Sequence, residues 1–433
     1  MRICFVSREF PPSNHIGGIG TYTYTLAKAL SHNGHQVTVV TYGKNYHKEE
    51  FRNLTLYRLP MLNHPLPSHK LLYPLRKYIR IQLPTFLDAI TWSVTVEHFF
   101  KSYPQIEWDV IESPETMGEG YRIPKQCALR FVSRVHSGWH PNLVSNPLER
   151  FMLLRMQRIA CKKADHVSSP SHYMAKTYAQ QILHYHKPIS VIPNPLLGWN
   201  VKSQTSSSNP MNWLFVGRIE HRKGIDTLLS ALETADTWRF RPHLRIIGAL
   251  PHRPNSHDSS TRDHFLRSKA SQPSLLEHLD SVPHQEMIKH YDWASVVILP
   301  SLIENYPYVL LEALSRGCYV IASRTGGIPE IIQDQRDGYL FPPGDIHALR
   351  SILGCLDTSS QVSSRCRVER QERFAANHLP GPIIESLLRI YGDPDCPSGI
   401  KNGKMKGQAM GGIPPHETIS HSKGQLSQNQ AGF

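Results

Sequence analysis

Short apolar runs alternate with amphipathic stretches along most of this chain. Residues 2–7, RICFVS, make an apolar run of strand length. A loop carrying Gly17, Gly18 and Gly20 follows, and TYTYTLAKALSHN then shows helical spacing up to Gly34, a residue suited to ending a helix. QVTVVTY, at 36–42, is the next strand. Strand, helix, strand in that order makes a βαβ unit and predicts a parallel sheet. DVIES at 109–113 and LRFVSRV at 129–135 are further strands. The stretch from 45 to 105, rich in Leu, Tyr, His and Pro, is expected to hold helices and a loop.

Periodicity breaks at VIPNPLLGWNVKSQTSSSNP, 191–210, which is dense in Pro, Asn and Ser as a linker is. The pattern then restarts. WLFVGRI (213–219), LRIIG (244–248), VVILPS (296–301) and CYVIAS (318–323) have strand length, with helices over 224–235 and 307–316. Two α/β domains are therefore expected, 1–197 and 211–375, with a linker at 198–210. IIESLLRIY at 383–391 is the last helix, within a segment 376–392 expected to return to the first domain. From 393 to 433 the chain is rich in Gly, Ser, Gln, Lys and Pro, and disorder is expected. Ligands of such sheets bind at the carboxyl ends of the strands, which here means the cleft between the domains.

Composition sharpens this picture only in places. Charged residues are 19% of the 433 and hydrophobic residues 40%, the balance of a globular chain. No apolar run approaches the roughly 18 residues of a membrane span. The opening MRICFVSREFPP has an apolar core too short for a signal peptide. Seven scattered cysteines (4, 127, 161, 318, 355, 366, 396) lack metal-ligand spacing and suit reduced thiols in the cytoplasm. Net charge +13 favours anionic partners. The cations gather locally at Lys70–Arg80 and Arg155–Lys163, with no Lys/Arg block interleaved with aromatics, so nucleic acid is disfavoured. The basic and partly apolar run His69–Arg80 suggests peripheral contact with an anionic membrane, although Pro74 interrupts any helix there.

Candidate chemistry sits at strand ends. Glu304-Asn305-Tyr306-Pro307-Tyr308-Val-Leu-Leu-Glu312 follows VVILPS. Pro307 suits the first turn of a helix. That places Glu304 in the preceding loop and Glu312 inside the helix, on the order of 10 Å away at 1.5 Å per residue. The helix start between them offers N–H groups and a positive dipole end to an anion. Alone, the pair equals an ordinary helix start with two solvated glutamates. Ile16-Gly17-Gly18-Ile19-Gly20 also opens a helix, without the G-x-G-x-x-G spacing of dinucleotide binders, since Thr23 takes the third glycine's place. Gly217-Arg218-Ile-Glu-His-Arg-Lys223-Gly224 puts two cations after a strand, where they would clamp a diphosphate or simply form a solvated basic turn. His136 directly follows LRFVSRV; His140 is a nearby rival, and 25 histidines make any one of them weak on its own. Gly326-Gly-Ile-Pro-Glu330 precedes another helix, and Asp337–Asp345 forms a turn and strand. Asp393-Pro-Asp395, a D-x-D triplet, lies in the polar tail rather than at a buried strand end, so no metal site is expected.

Taken in order, SREFPP…GGIG, NGHQVTVV, VHSG, KKADHVSSPS, VIPNP, VGRIEHRKG, ENYPYVLLEALSRG, VIASRTGGIPEII and DGYLFPPGD resemble the retaining, nucleotide-sugar-dependent glycosyltransferases of family 4 over residues 1–392. The resemblance implies a GT-B fold: α/β, two facing Rossmann-like doubly wound domains with an interdomain cleft. It implies that Glu304 contacts the donor sugar, that Glu312 contacts the ribose and that Arg218 and Lys223 hold the diphosphate. Backbone near Gly17 and Gly18 would face the phosphates, Asn305, Tyr306, Pro307 and Tyr308 would line the donor pocket, and His136 would sit beside sugar and acceptor. It implies no cofactor and no divalent metal, the cations supplying the charge. IIGALPHRP, 246–254, departs from the family's usual Gly-x-Gly-Pro-like ending. The expected reaction is hexosyl transfer to an acceptor hydroxyl of a glycan, glycolipid or small molecule. Its rivals are a nucleotide-sugar epimerase of the same fold, a non-catalytic sugar-nucleotide-binding component of a polysaccharide assembly system, and a basic nucleic-acid binder.

Overall fold

The computed structural model describes residues 1–11, 17–62, 83–136, 144, 146–196, 211–233, 235, 238, 241–250, 256–356, 364–378 and 380–392. The linker 198–210, the basic run 69–80, His140, the Asp393–Asp395 triplet and the tail 393–433 lie outside the described residues.

The first sheet contains β1 (Arg2–Val6), β2 (Gln36–Tyr42), β3 (His47–Phe51), β4 (Leu54–Leu59), β5 (Trp108–Pro114), β6 (Ala128–Arg134), β7 (His166–Ser169) and β8 (Ile189–Val191). Its order is β3-β4-β2-β1-β5-β6-β7-β8. β1 lies between β2 and β5, parallel to both, with Ile3 opposite Val37 and Val110. Ile3, Cys4, Phe5 and Val6 are all buried, because helices cover both faces of a parallel sheet and leave no polar side to alternate with. β3 and β4 are an antiparallel hairpin where helices were expected, while the helix Pro84–Ser102 lies within the same stretch as expected. The reason is visible in β3: HKEEF, an edge strand, is mostly exposed and carries charge, so the apolar signal of a strand is missing.

The second sheet contains β9 (Asn212–Val216), β10 (His243–Ile247), β11 (Leu276–Leu279), β12 (Val296–Leu299), β13 (Tyr319–Ser323) and β14 (Gly338–Phe341), all parallel in the order β11-β10-β9-β12-β13-β14. Both sheets thus reverse direction beside their first strand: at β1–β5 in one, at β9–β12 in the other. Those are the points where an open parallel sheet leaves a crevice for a ligand.

The helix Gly18–His32 buries Tyr22, Leu26, Ala29 and Leu30 at helical spacing, and Asn33 and Gly34 end it. The helix Pro147–Lys163 starts at Asn146, whose Oδ1 accepts from the amides of Leu148 at 3.0 Å and Glu149 at 3.3 Å. The helix Ser364–His378 spans the expected boundary at 375 and holds the second half: Arg367 donates to the carbonyls of Arg316 (2.8 Å), Ala294 (3.0 Å) and Tyr291 (2.9 Å). The helix Pro380–Tyr391 lies on the first sheet. There Tyr391 Oη donates to Glu112 Oε2 on β5 at 2.6 Å, and Arg130 Nη1 on β6 donates to the Ile390 carbonyl at 2.8 Å.

Glu112 is buried, and burial pushes its carboxyl above the usual range despite Arg134 and the Tyr391 hydroxyl. Tyr391→Phe removes that donor from a buried carboxylate. Stability should fall by about 1–3 kcal/mol, read as a lower urea midpoint; an unchanged midpoint would show that the contact does not hold the last helix.

Candidate active site

The loops after β9 and β12 are packed backbone to backbone. Gly224 has φ +68°, and a Cβ there would stand 1.8 Å from the Pro300 carbonyl oxygen. Only glycine permits this approach. Beside it, the Leu302 amide donates to the Arg222 carbonyl at 2.9 Å. The juxtaposition brings Lys223 Nζ onto Glu304 Oε1, which also accepts from Ser301 Oγ at 3.1 Å. Glu304 is 8% exposed. Burial pushes its carboxyl up, but Lys223 and then Arg222 outweigh that and hold it below the usual range, so it stays ionised. Arg218 is not part of this contact. Its side chain is 64% exposed and its Nη1 pairs with Glu220 Oε1 at 2.8 Å.

A second glycine fixes the Glu304 loop from the other side. Gly326 has φ +59°, and a Cβ there would stand 1.5 Å from the Glu304 carbonyl oxygen. The Gly327 amide donates to the Asn305 carbonyl at 2.7 Å. Pro307 is extended and caps the helix Tyr308–Ser315 rather than opening its first turn, one position earlier than expected. Glu312 lies inside that helix, 5% exposed. Its Oε1 meets His284 Nε2 at 3.1 Å and its Oε2 accepts from Tyr291 Oη at 2.8 Å. Tyr306 and Tyr308 are buried, and burial pushes both phenols up.

The first half meets this loop. The Gly17 amide donates to Glu9 Oε2 at 2.8 Å, and Gly18 opens the helix so that a Cβ on it would lie 3.9 Å from Tyr308 Cδ2. His136, two residues past β6, has its amide on Glu115 Oε2 at 2.7 Å and its carbonyl on Asn305 Nδ2 at 3.2 Å. Its ring stands edge-on to Tyr22, centroids 4.4 Å apart. Burial, and then the Arg134 charge, hold its pKa well below the ordinary histidine value, so the ring is neutral. Asn194 Nδ2 reaches the Tyr306 carbonyl at 3.5 Å. The Glu330 carboxylate accepts from the amides of His172 and Tyr173, both at 2.7 Å.

The structure therefore gathers Lys223, Glu304, Asn305, Tyr306, Pro307, Tyr308, Gly18 and His136 where the two halves meet, with Gly17 beside Gly18 and Glu312 farther along the helix. Glu9, Glu115, Arg222, His284, Tyr291, Ser301 and Glu330 belong to the same constellation and were not singled out by the sequence, except that Glu330 closes a recognised glycine motif. Ser301 was legible as the residue ending VVILPS. Glu115 and Tyr291 reach their partners only through the fold. Among the described residues no group of three or more His, Cys, Asp or Glu side chains gathers to hold a metal ion, and no helix is long and apolar enough to cross a membrane.

Two parallel-sheet halves joined at their switch points have the architecture of the GT-B fold. Residues 16–196 match the family described as Glycosyltransferase Family 4, and residues 210–356 match Glycosyl transferases group 1; together they take in most of the chain, which belongs to this glycosyltransferase family. It is 25% identical to the glycogen synthase of Mycobacterium tuberculosis over 90% of this chain and 94% of that one. Sucrose-phosphate synthase from Thermosynechococcus elongatus has the same fold, with TM-score 0.70 and 20% identity over 90% of this chain and 98% of that one. So does Anabaena HepE, solved in complex with UDP-glucose, with TM-score 0.63 and 15% identity over 90% of this chain and 100% of that one.

Glu312 raises the His284 pKa, chiefly through their hydrogen bond, against the opposing effect of burial. A raised histidine stabilises the fold below its unfolded value, about 6.5, and loses that effect as pH rises through the folded value. His284→Gln should lower Tm near pH 5.5 and leave it unchanged near pH 9. An equal change at both values would show that no ion pair with Glu312 is involved.

Proposed function

We propose that this protein transfers a hexosyl unit from a nucleoside-diphosphate sugar to an acceptor hydroxyl with retention of anomeric configuration. The observation that carries the proposal is the pairing of Lys223 with the buried Glu304 at the β9–β12 switch point, on the loop that Asn305 joins to His136 of the other half. Support also comes from the UDP-glucose in HepE and from the named activities of the relatives, all of which move sugars.

In this reading the diphosphate lies against Lys223, Arg218 and the start of the helix Tyr308–Ser315, whose dipole end favours an anion. Glu312 takes the ribose hydroxyls. Glu304 takes the sugar hydroxyls, its charge maintained by Lys223. Neutral His136 faces the sugar and the acceptor as a hydrogen-bonding partner. The acceptor oxygen attacks the anomeric carbon on the face the diphosphate leaves. The carbon–phosphate oxygen bond breaks, the new glycosidic bond forms, and the acceptor proton passes to the departing phosphate oxygen. Arg218 and Lys223 lower the energy of the charge developing on that oxygen, so no resident divalent metal is required. The six described cysteines are free thiols, which fits a cytoplasmic enzyme; peripheral contact with an anionic membrane is proposed on the net charge of +13.

A screen of UDP-, GDP- and ADP-sugars by thermal shift selects the donor, since a ligand bound only by the folded chain raises Tm. Acceptor-dependent release of the diphosphate then separates transfer from epimerisation and from binding alone. With that donor and excess EDTA, the native chain should keep its transfer rate. Glu304→Gln should lower kcat at least tenfold with donor KM little changed, as for an interaction made mainly in the transition state. Wild-type turnover in the variant would remove Glu304 from the site, and rescue of a chelated enzyme by Mg²⁺ or Mn²⁺ would overturn the metal-free mechanism.

Arg218→Ala and Lys223→Ala should each weaken binding of the free nucleoside diphosphate about tenfold or more, the scale of one charged hydrogen bond. Calorimetric titration decides it, and unchanged affinity in both variants would end the clamp.

A further inference from the structure

Arg134 ends β6 two residues before His136 and is 0% exposed. An arginine does not shed its proton, so this is a permanent charge in the interior. Its Nη2 donates to the Ile192 carbonyl at 2.7 Å and to Asn194 Oδ1 at 3.0 Å, and its Nη1 reaches Ser168 Oγ at 3.4 Å. Among the described residues no carboxylate lies within ion-pair distance of it, and its Nε has no partner. The buried Glu112 carboxyl feels its charge without pairing with it, so the cation is compensated only in part, a costly arrangement. Hydrogen bonds to one carbonyl, a side-chain amide and a hydroxyl offset part of that cost without cancelling the charge.

The geometry shows what the charge is directed at. The guanidinium lies over the Tyr22 ring, 4.4 Å from its centroid. The same ring also meets His136, edge-on with centroids 4.4 Å apart. Tyr22 is 1% exposed, so neither contact can be exchanged for water. Asn194, which accepts from Arg134, also donates to Tyr306 of the opposite half. Among the described residues, the groups around His136 are Arg134 from its own strand, Tyr22 from the first helix, Glu115 from the loop after β5 and Asn305 from the opposite half. Glu112, Tyr308 and Tyr391 stand behind Tyr22.

We propose that Arg134 is a positioning residue for the transfer: its guanidinium, stacked on Tyr22, fixes the His136 ring at the site and keeps a positive charge behind it. A neutral imidazole then presents one donor and one acceptor nitrogen to the substrates. The low pKa of His136, due to burial first and Arg134 second, agrees with this placement. The inference rests on the reading of His136 as a residue of the transfer site.

The test uses the full chain labelled with ¹⁵N-histidine and titrated by NMR, with His136→Gln identifying the resonance among the 25 histidines. In the native chain His136 should remain neutral at about pH 6.5, where an ordinary histidine is half protonated. Arg134→Met should raise its midpoint, while Arg134→Lys, which keeps the charge, should leave the midpoint low. A midpoint unmoved in Arg134→Met, or a lysine variant indistinguishable from it, overturns the proposal. If Arg134→Met does not fold, Tyr22→Leu takes its place. Loss of the ring should displace the His136 resonance and raise its midpoint, and an unchanged spectrum overturns the proposal. Transfer by His136→Gln is measured separately: a normal rate there removes His136 from the reaction while the titration still decides whether Arg134 positions it.

Discussion

The site depends on two places where backbone touches backbone with no side chain between. At Gly224 the loop after β9 lies against Pro300, and at Gly326 the loop after β13 lies against Glu304. Each glycine has positive φ, and each faces a carbonyl oxygen where a Cβ would be impossible. The loop carrying Glu304 is therefore gripped from both flanks. Its hydrogen bonds, Leu302 to Arg222 and Gly327 to Asn305, lie at the same two contacts. A flexible surface loop thereby becomes a fixed mount, which is what a charged pair needs if it is to remain in place while buried.

The charges follow from that mount. Glu304 is nearly as buried as Glu312, yet the two carboxylates have different partners: a cation and a hydroxyl in one case, a histidine and a phenol in the other. Arg218 stays at the surface with Glu220, so the two cations of the Gly217–Gly224 motif are not equivalent. Lys223 pairs with the Glu304 carboxylate, whereas Arg218 is exposed and pairs with Glu220.

Much of the fold was legible because parallel strands buried on both faces appear as unbroken apolar runs: RICFV, WLFV, VVIL and YVIAS all fell where expected. The hairpin β3–β4 was not, since an edge strand such as HKEEF need not be apolar. At the site, residues next to strand ends were legible because chain order carries them there. Glu115, Tyr291, His284 and Arg134 were not, because their partners lie far away in sequence and only the packing of separate elements unites them. Pro307 shows the limit of local rules: its place at the helix start was clear, its exact position was not.

Asn305 has one further consequence. Its carbonyl accepts from Gly327 within its own half, while its side chain donates to His136 in the other. Glu330, four residues past the Gly326 contact, likewise reaches across to the amides of His172 and Tyr173. Hydrogen bonds lose their strength within a fraction of an ångström. With the Asn194–Tyr306 contact, these bonds tie the two halves together at the site, so the loop that carries Glu304 is also part of the joint between them.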